Sequence, residues 1–227
     1  MRIRFKAWAR PELEASPFYL EEAEEQKGKW RELFPKDQPL YLELGCGKGA
    51  FISQMALNHP EINFLAVDLV DAMLGIAKRK IEELYRAEGR EVDNIYLTRY
   101  DIERILNILS KEDKIERIYI NFCNPWPRGK HHKKRLTHTR QLQKYREFLV
   151  DGGAIYFKTD DDSLFTDSLK YLEEAGYQIE KMTKDLAKEK DFWKNVVTEH
   201  ETMFSEQGIC IKALIARKIQ RKEETNE

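Results

Sequence analysis

Three groups of residues carry the types that a catalytic or binding site needs. The first is the stretch from Ile118 to Arg135, IYINFCNPWPRGKHHKKR. It places an amide, Asn124, and an aromatic ring, Trp126, in a turn with Pro125 and Pro127. Arg128, Lys130, Lys133, Lys134 and Arg135 follow, with His131 and His132 among them. Proline fixes its own φ near about −65° and pushes the residue before it, here Asn124 and Trp126, towards extended backbone. A stiff polar turn beside a run of cations suits a planar ligand attached to phosphates. The plain alternative is a proline turn followed by a solvated charge run.

The second group is Glu43-Leu44-Gly45-Cys46-Gly47-Lys48-Gly49. Glycines let the backbone turn tightly and approach a ligand closely, and a helix that starts just after them offers free N–H groups. Asp68 follows about 20 residues later, where an acidic residue at a strand tip can hold a ribose. It is equally suited to cap a helix, and the same two readings apply to Asp101. The third group is acidic: Asp160-Asp161-Asp162, and Thr198-Glu199-His200-Glu201.

The elements around these residues alternate. Apolar runs at 40–44, 62–67, 94–98, 117–122, 153–158, 177–182 and 209–216 read as strands. Helical spacing recurs after the glycines, over 70–88, through Ile105 to Leu109, over 139–150 and over 164–175. Such alternation predicts an α/β fold: a mostly parallel, seven-stranded sheet, helices on both faces, and an antiparallel last strand. Glu43, Asp68, Asp101, Asn124 and Asp160 then sit at strand ends, where open α/β sheets bind ligands.

Residues 1–17 are basic and aromatic and read as an N-terminal arm, mobile or lying on a nucleic-acid backbone. Residues 18–217 read as a single domain and 218–227 as a polar tail. Residues 18–34 are expected to include a short helix.

The chain has 227 residues, 39 Lys plus Arg against 40 Asp plus Glu, and a formal net charge of −1. That excludes a globally basic nucleic-acid binder, so any RNA contact must come from local clusters such as 128–135. Three cysteines without a CxxC pair argue against a disulfide framework or a zinc site and point to a reducing, cytoplasmic setting. No apolar run approaches the length of a membrane span, and neither a metal nor a membrane is expected. A monomer or a homodimer is compatible with this composition.

A cleft lined by carboxylates suits a cationic cofactor with an amino-acid tail and a ribose, such as S-adenosylmethionine, better than a phosphate-rich dinucleotide. Here the chain resembles a known family. Glu43–Gly49, Asn121-Phe122-Cys123-Asn124-Pro125-Trp126-Pro127 with its basic run, Phe157-Lys158-Thr159-Asp160 and Thr198–Glu201 are similar to the bacterial tRNA (guanine-N7-)-methyltransferases, over about residues 1–217. The resemblance implies a Rossmann-like class I methyltransferase fold. It implies cofactor contacts at Glu43, Gly45, Gly47, Asp68, Asp101 and Asn124, and tRNA or guanine contacts at Arg128, Asp160, Thr198, Glu199, His200 and Glu201. Asn124 and Asp160 would act at the reacting centre, and the target would be a guanine of the tRNA variable loop. The chain departs from the commonest pattern of the family in having Asn at 124 in place of Asp, Arg at 128 in place of Lys, and Asp at 68 in place of Glu.

Guanine N7 carries a lone pair and no proton. Transfer there is expected to proceed by in-line displacement without a general base, and Asn124 keeps one carbonyl acceptor while adding two donors. Asp160, with Glu199 or Glu201, is expected to bind the guanine edge. The five cations of the basic run, helped by Arg2, Arg4 and Lys6, are expected to hold phosphates. Trp126 is expected to plug the core beneath the loop or to stack on the base. Two other readings stay open: a methyltransferase acting on an exocyclic amine, and an RNA-binding module with a degenerate methyltransferase fold.

Overall fold

The computed structural model describes residues 4–189, 192–193 and 196–220. In chain order it forms α1 (Ala9–Glu14), β1 (Tyr19–Leu20), β2 (Leu40–Leu44), α2 (Ala50–Asn58), β3 (Asn63–Asp68), α3 (Asp71–Ala87), β4 (Ile95–Arg99), β5 (Ile115–Asn121), α4 (Thr139–Phe148), β6 (Leu149–Thr159), α5 (Asp162–Glu174), β7 (Tyr177–Thr183), α6 (Glu199–Glu206) and β8 (Lys212–Lys218). Short 3-10 turns fill several of the connections.

The strands join in one sheet of order β1-β4-β3-β2-β5-β6-β8-β7. β1 to β6 run parallel, and β8 lies antiparallel between β6 and β7. The antiparallel last strand is as expected. Helices cover both faces, which is why the central strands are apolar on both sides. Leu42, Leu44, Leu65, Val67, Ile118 and Ile120 pack with Leu142 and Tyr145 of α4 and Leu164 of α5. On the other face Phe64, Ala66, Leu97 and Tyr119 pack with Ile52 of α2 and Leu74 and Ile81 of α3. The strand order reverses between β2 and β5, so the ends of those two strands open onto the crevice where such sheets bind ligands.

Several expectations are corrected. The sheet has eight strands, not seven: Tyr19 and Leu20 pair in parallel with Leu97 and Thr98. A two-residue strand is too short to leave a period. Residues 18–34 hold this strand and two 3-10 turns, Ala23–Gln26 and Trp30–Leu33, rather than an α-helix. The helix expected through Ile105 is a 3-10 segment, Ile102–Asn107. The last strand begins at Lys212, and the charged connection before it contains α6.

Part of the supposed N-terminal arm is packed. Ala9 and Leu13 of α1 are fully buried, and α1 lies against α3. Gly75 of α3 makes the approach possible, since a Cβ there would stand 2.8 Å from the Ala9 Cβ. The Arg79 guanidinium lies 3.5 Å over the Trp8 ring. Arg2 and residues 221–227 of the tail lie outside the described residues.

Candidate active site

β2 ends at Leu44 and passes into the glycine loop. Gly45, Gly47 and Gly49 have φ values of 77°, 54° and 73°, a left-handed region that costs other residues about 1–2 kcal/mol. The loop is pinned to the end of β3: the Gly45 and Cys46 N–H groups donate to the Val67 carbonyl at 2.8 and 3.2 Å. The Gly47 N–H donates to Asp68 Oδ2 at 2.9 Å, and the Val70 N–H donates to Oδ1 at 3.0 Å. Asp68 therefore shapes the loop while standing at the strand tip. Burial raises its pKa, and these N–H bonds oppose the rise.

Glu43, one residue before the end of β2, is 2% exposed. Its Oε1 accepts from Asn121 Nδ2 at 2.9 Å. Its Oε2 is buried without a partner among the described residues. Burial pushes the carboxyl up to about 7, against the pull of the Asn121 bond and the positive charge of Lys158. A buried acceptor without a donor costs about 1–3 kcal/mol, and here it lies beside an open glycine loop. A Cβ on Gly47 would meet nothing within 4 Å. An acidic, backbone-lined cleft of this kind fits the amino-acid and ribose parts of S-adenosylmethionine.

Asp101 follows β4 and accepts from the Glu103 N–H at 2.9 Å, capping the 3-10 segment. With Leu69, Arg99 and Tyr100 it also lines an open crevice on the side of the Asp68 tip. Both sequence readings of Asp101 are thus compatible.

The turn after β5 departs from the extended backbone expected before proline. Trp126 has φ 43° and Phe122 has φ 51°. The Trp126 N–H donates to Asn124 Oδ1 at 3.0 Å. This side-chain turn holds Trp126 in the left-handed region despite the proline that follows. One acceptor direction of the exposed Asn124 is thereby used within the loop. Trp126 is not a core plug: it is half-buried, tilted against His131 at 5.8 Å, with Lys134 Nζ over its ring at 5.1 Å.

The basic run divides. Arg128, Lys130, Lys133 and Lys134 are exposed. Arg135 is 1% exposed. Its Nε donates to the Pro125 carbonyl at 2.7 Å, and its Nη1 pairs with Asp167 Oδ2 at 2.5 Å. Arg135 supports the proline turn from below and is not available to phosphates.

The acidic cluster divides as well. Asp161 caps α5, accepting from the Leu164 N–H at 2.6 Å. Asp162 pairs with Lys212 Nζ at 2.9 Å, and the same ammonium donates to the Asp160 carbonyl at 2.9 Å. Asn121 of β5 pairs in register with Lys158 of β6, and the Phe122 N–H donates to the Lys158 carbonyl at 2.9 Å, so the segments that carry Asn124 and Asp160 leave the sheet side by side. Burial pushes the Cys123 thiol up to about 12 and raises that of Cys46 as well. Neither offers a thiolate nucleophile near neutral pH.

Thr198 and Glu201 form a capping box at the start of α6, with Thr198 Oγ1 accepting from the Glu201 N–H at 3.2 Å and Glu201 Oε2 from the Thr198 N–H at 3.0 Å. Glu201 is buried, and its Oε2 lies 2.7 Å from Lys158 Nζ. His200 is exposed and stacks on Phe122 at 5.6 Å, which draws α6 over the end of β5. The Glu199 side chain lies outside the described residues. Two residues of this network, Lys158 and Asn121, were not singled out as site residues in the sequence. The available signal was a lysine in the otherwise apolar run Ala154–Phe157 and an amide closing β5.

Among the described residues no cluster of His, Cys, Asp and Glu could hold a metal ion, and no helix is long and apolar enough to cross a membrane. Residues 37–214 match a family model described as "Putative methyltransferase". The tRNA (guanine-N(7)-)-methyltransferase of Clostridium beijerinckii is 56% identical over 96% of this chain and 99% of its own. That of Clostridium perfringens strain SM101 is 54% identical over 96% and 100%. The 16S rRNA methyltransferase KamB shares the fold at a TM-score of 0.59 and 13% identity, over 96% of each chain. With a relative this similar along nearly its whole length, the chain belongs to the tRNA (guanine-N(7)-)-methyltransferase family.

Proposed function

We propose that this protein methylates N7 of a guanine in the variable loop of tRNA, using S-adenosylmethionine. The observation that carries the reading is the buried Glu43 Oε2, without a partner among the described residues, behind an open glycine loop, with the exposed cations Arg128, Lys130, Lys133 and Lys134 following the neighbouring strand. The cofactor supplies an electrophilic methyl group on a cationic sulfur. Glu43, Gly45, Gly47, Asp68, Asp101 and Asn124 would hold it.

Because N7 has no proton to lose, no residue needs to act as a base. The chain contributes orientation, worth up to roughly 7–11 kcal/mol in favourable systems. It also contributes charge where charge develops. The methylated guanine is a cation, and Asp160 at the end of β6 would balance that charge. Thr198 and His200 present the start of α6 to the base. Glu201, locked by Lys158 and its own cap, supports that helix rather than reading the guanine edge. Arg128, Lys130, Lys133 and Lys134 hold phosphates and position the RNA without reading its sequence.

Incubation with unmodified tRNA and labelled S-adenosylmethionine, followed by mapping of the methylated nucleoside by mass spectrometry, tests the reading. A methyl on guanine N7 in the variable loop is expected. A methyl on an exocyclic amine would install the amino-group alternative. No transfer, together with no cofactor binding, would leave an RNA-binding module.

A further inference from the structure

Glu43 and Asn121 belong to β2 and β5, the two strands between which the sheet order reverses. Glu43 stands opposite Tyr119 in the register, and Asn121 closes β5 two residues further on. Side chains two apart on a strand share a face. Tyr41 and Tyr119 therefore form one step across the two strands, and Glu43 and Asn121 the next step towards the strand ends. The first step is aromatic: the two tyrosine rings meet edge-on with centroids 6.2 Å apart. The second is polar: Asn121 Nδ2 donates to Glu43 Oε1 at 2.9 Å. A carboxylate oxygen only accepts, so the amide must turn its nitrogen towards it. Glu43 Oε2 is left buried without a partner among the described residues.

We propose that Asn121 is a positioning residue: by holding Glu43 Oε1 from the neighbouring strand, it fixes Oε2 as the oxygen that meets the cationic amino group of the cofactor. The proposal rests on the reading of Glu43 as a cofactor contact. A glutamate side chain loses rotamer freedom when it is fixed. Fixing it before the ligand arrives removes that cost from binding. The bond also favours the ionised carboxylate over the acid, against the burial that holds the carboxyl at about 7. Lys158 on β6, Asp68 on β3 and Cys46 in the glycine loop also act on this charge. Among the described residues, however, Asn121 is the one side chain hydrogen-bonded to Glu43. An apolar residue at 121 would leave both carboxylate oxygens unpaired, and a carboxylate there would repel Glu43. As the last residue of β5, Asn121 also ties the cofactor carboxylate to the strand that carries the proline turn.

The test is a double-mutant cycle of Asn121→Ala and Glu43→Gln, read by calorimetric titration with S-adenosylhomocysteine across neutral pH. Asn121→Leu accompanies it, because it keeps the volume at 121 and removes only the donor. Thermal melts establish which variants are folded. Asn121→Ala and Asn121→Leu are each expected to weaken binding about tenfold. The midpoint below which affinity is lost should move upward by about one pH unit, because Glu43 loses the bond that favours its ionised form. In the Glu43→Gln background, Asn121→Ala should change affinity by less than about twofold, since a residue acting through Glu43 has nothing further to lose. An unmoved midpoint in both folded variants, or a full loss that persists in the Glu43→Gln background, overturns the positioning role and leaves the cofactor reading intact. Native protein that binds no S-adenosylhomocysteine at any pH overturns the cofactor reading itself, and this proposal with it.

Discussion

Arg135 Nε donates to the Pro125 carbonyl at 2.7 Å from inside the fold. The cation that closes the basic run thus buttresses the turn that the other cations surround. Arg135→Ala deprives the Pro125 carbonyl and Asp167 of this partner. It should destabilise the protein by about 3 kcal/mol, the low end for a broken buried pair because Asp167 is partly exposed. Chemical denaturation checks this, and unchanged stability would return Arg135 to the solvated run.

The exposed cations behave differently. Replacing Arg128, Lys130, Lys133 and Lys134 with glutamine should leave the melting temperature nearly unchanged and weaken tRNA binding. The slope of log K against log salt should fall by about 0.7–0.9 for each phosphate that is no longer neutralised. Filter binding over a salt series measures it, and an unaltered slope would leave the four residues as a solvated face.

Glu43 gives a pH signature of known sign. Its carboxyl is raised to about 7 in the fold, above its ordinary value. Its contribution to stability is present below the ordinary carboxylate range and is lost as pH rises through about 7. Glu43→Gln should therefore stabilise the cofactor-free protein at pH above 7, by up to about 3 kcal/mol. At low pH it should change little. Cofactor binding should be impaired in the variant at all pH values. Melts and calorimetry at acidic and alkaline pH separate the two effects.

The loop glycines are not equivalent. A Cβ on Gly49 would lie 2.6 Å from the Ala77 Cβ and 2.9 Å from its Cα, at φ 73°. Gly49→Ala must displace α2 from α3 and should cost about 2–4 kcal/mol. Gly47→Ala meets no protein atom and should cost only about 1 kcal/mol. It would nevertheless place a methyl group in the space assigned to the cofactor. Paired melts and S-adenosylhomocysteine titrations should show stability falling for Gly49 and affinity falling for Gly47.

At the reacting centre, Asp160→Ala should lower the single-turnover rate on the order of 100-fold while cofactor affinity changes little. Asn124→Asp keeps the acceptor for the Trp126 N–H and adds a negative charge beside a cationic product. It should raise that rate by about tenfold, the effect of one charge-assisted bond replacing a neutral one. Rapid-quench measurement with labelled cofactor reads both.

The fold was legible where periodicity is strong. Leu40–Leu44, Asn63–Asp68 and Asp71–Ala87 stand close to their sequence boundaries. β1 was not legible, because two residues cannot show alternation. The strand ends were visible, and with them Glu43, Asp68, Asp101, Asn124 and Asp160. The division of labour among like residues was hidden. Arg135 and Lys134 are adjacent cations in the sequence, yet one is buried and the other exposed. Asp161 and Asp160 are adjacent carboxylates, yet one caps a helix. Burial and partner choice depend on distant segments, such as Asp167 beneath Arg135 and α6 over Lys158. Trp126 misled in another way: a local side-chain bond from Asn124 overrode the backbone preference that proline imposes.

β8 joins β6 on one side and β7 on the other, and among the described residues β7 has no other neighbour in the sheet. During synthesis, β7 leaves the ribosome before the strand that will hold it exists. The cofactor loop between β2 and α2 is by then long complete, with β3, β4 and β5 around it. Phe204 of α6 packs against the apolar cluster that includes Ala213 and Ile215 of β8, so α6 gains its full seat only when that strand arrives. A nascent chain can therefore assemble the half around the glycine loop early, while α6 and β7 wait for β8. Inserting β8 between β6 and β7 thus orders the maturation of the two halves in time.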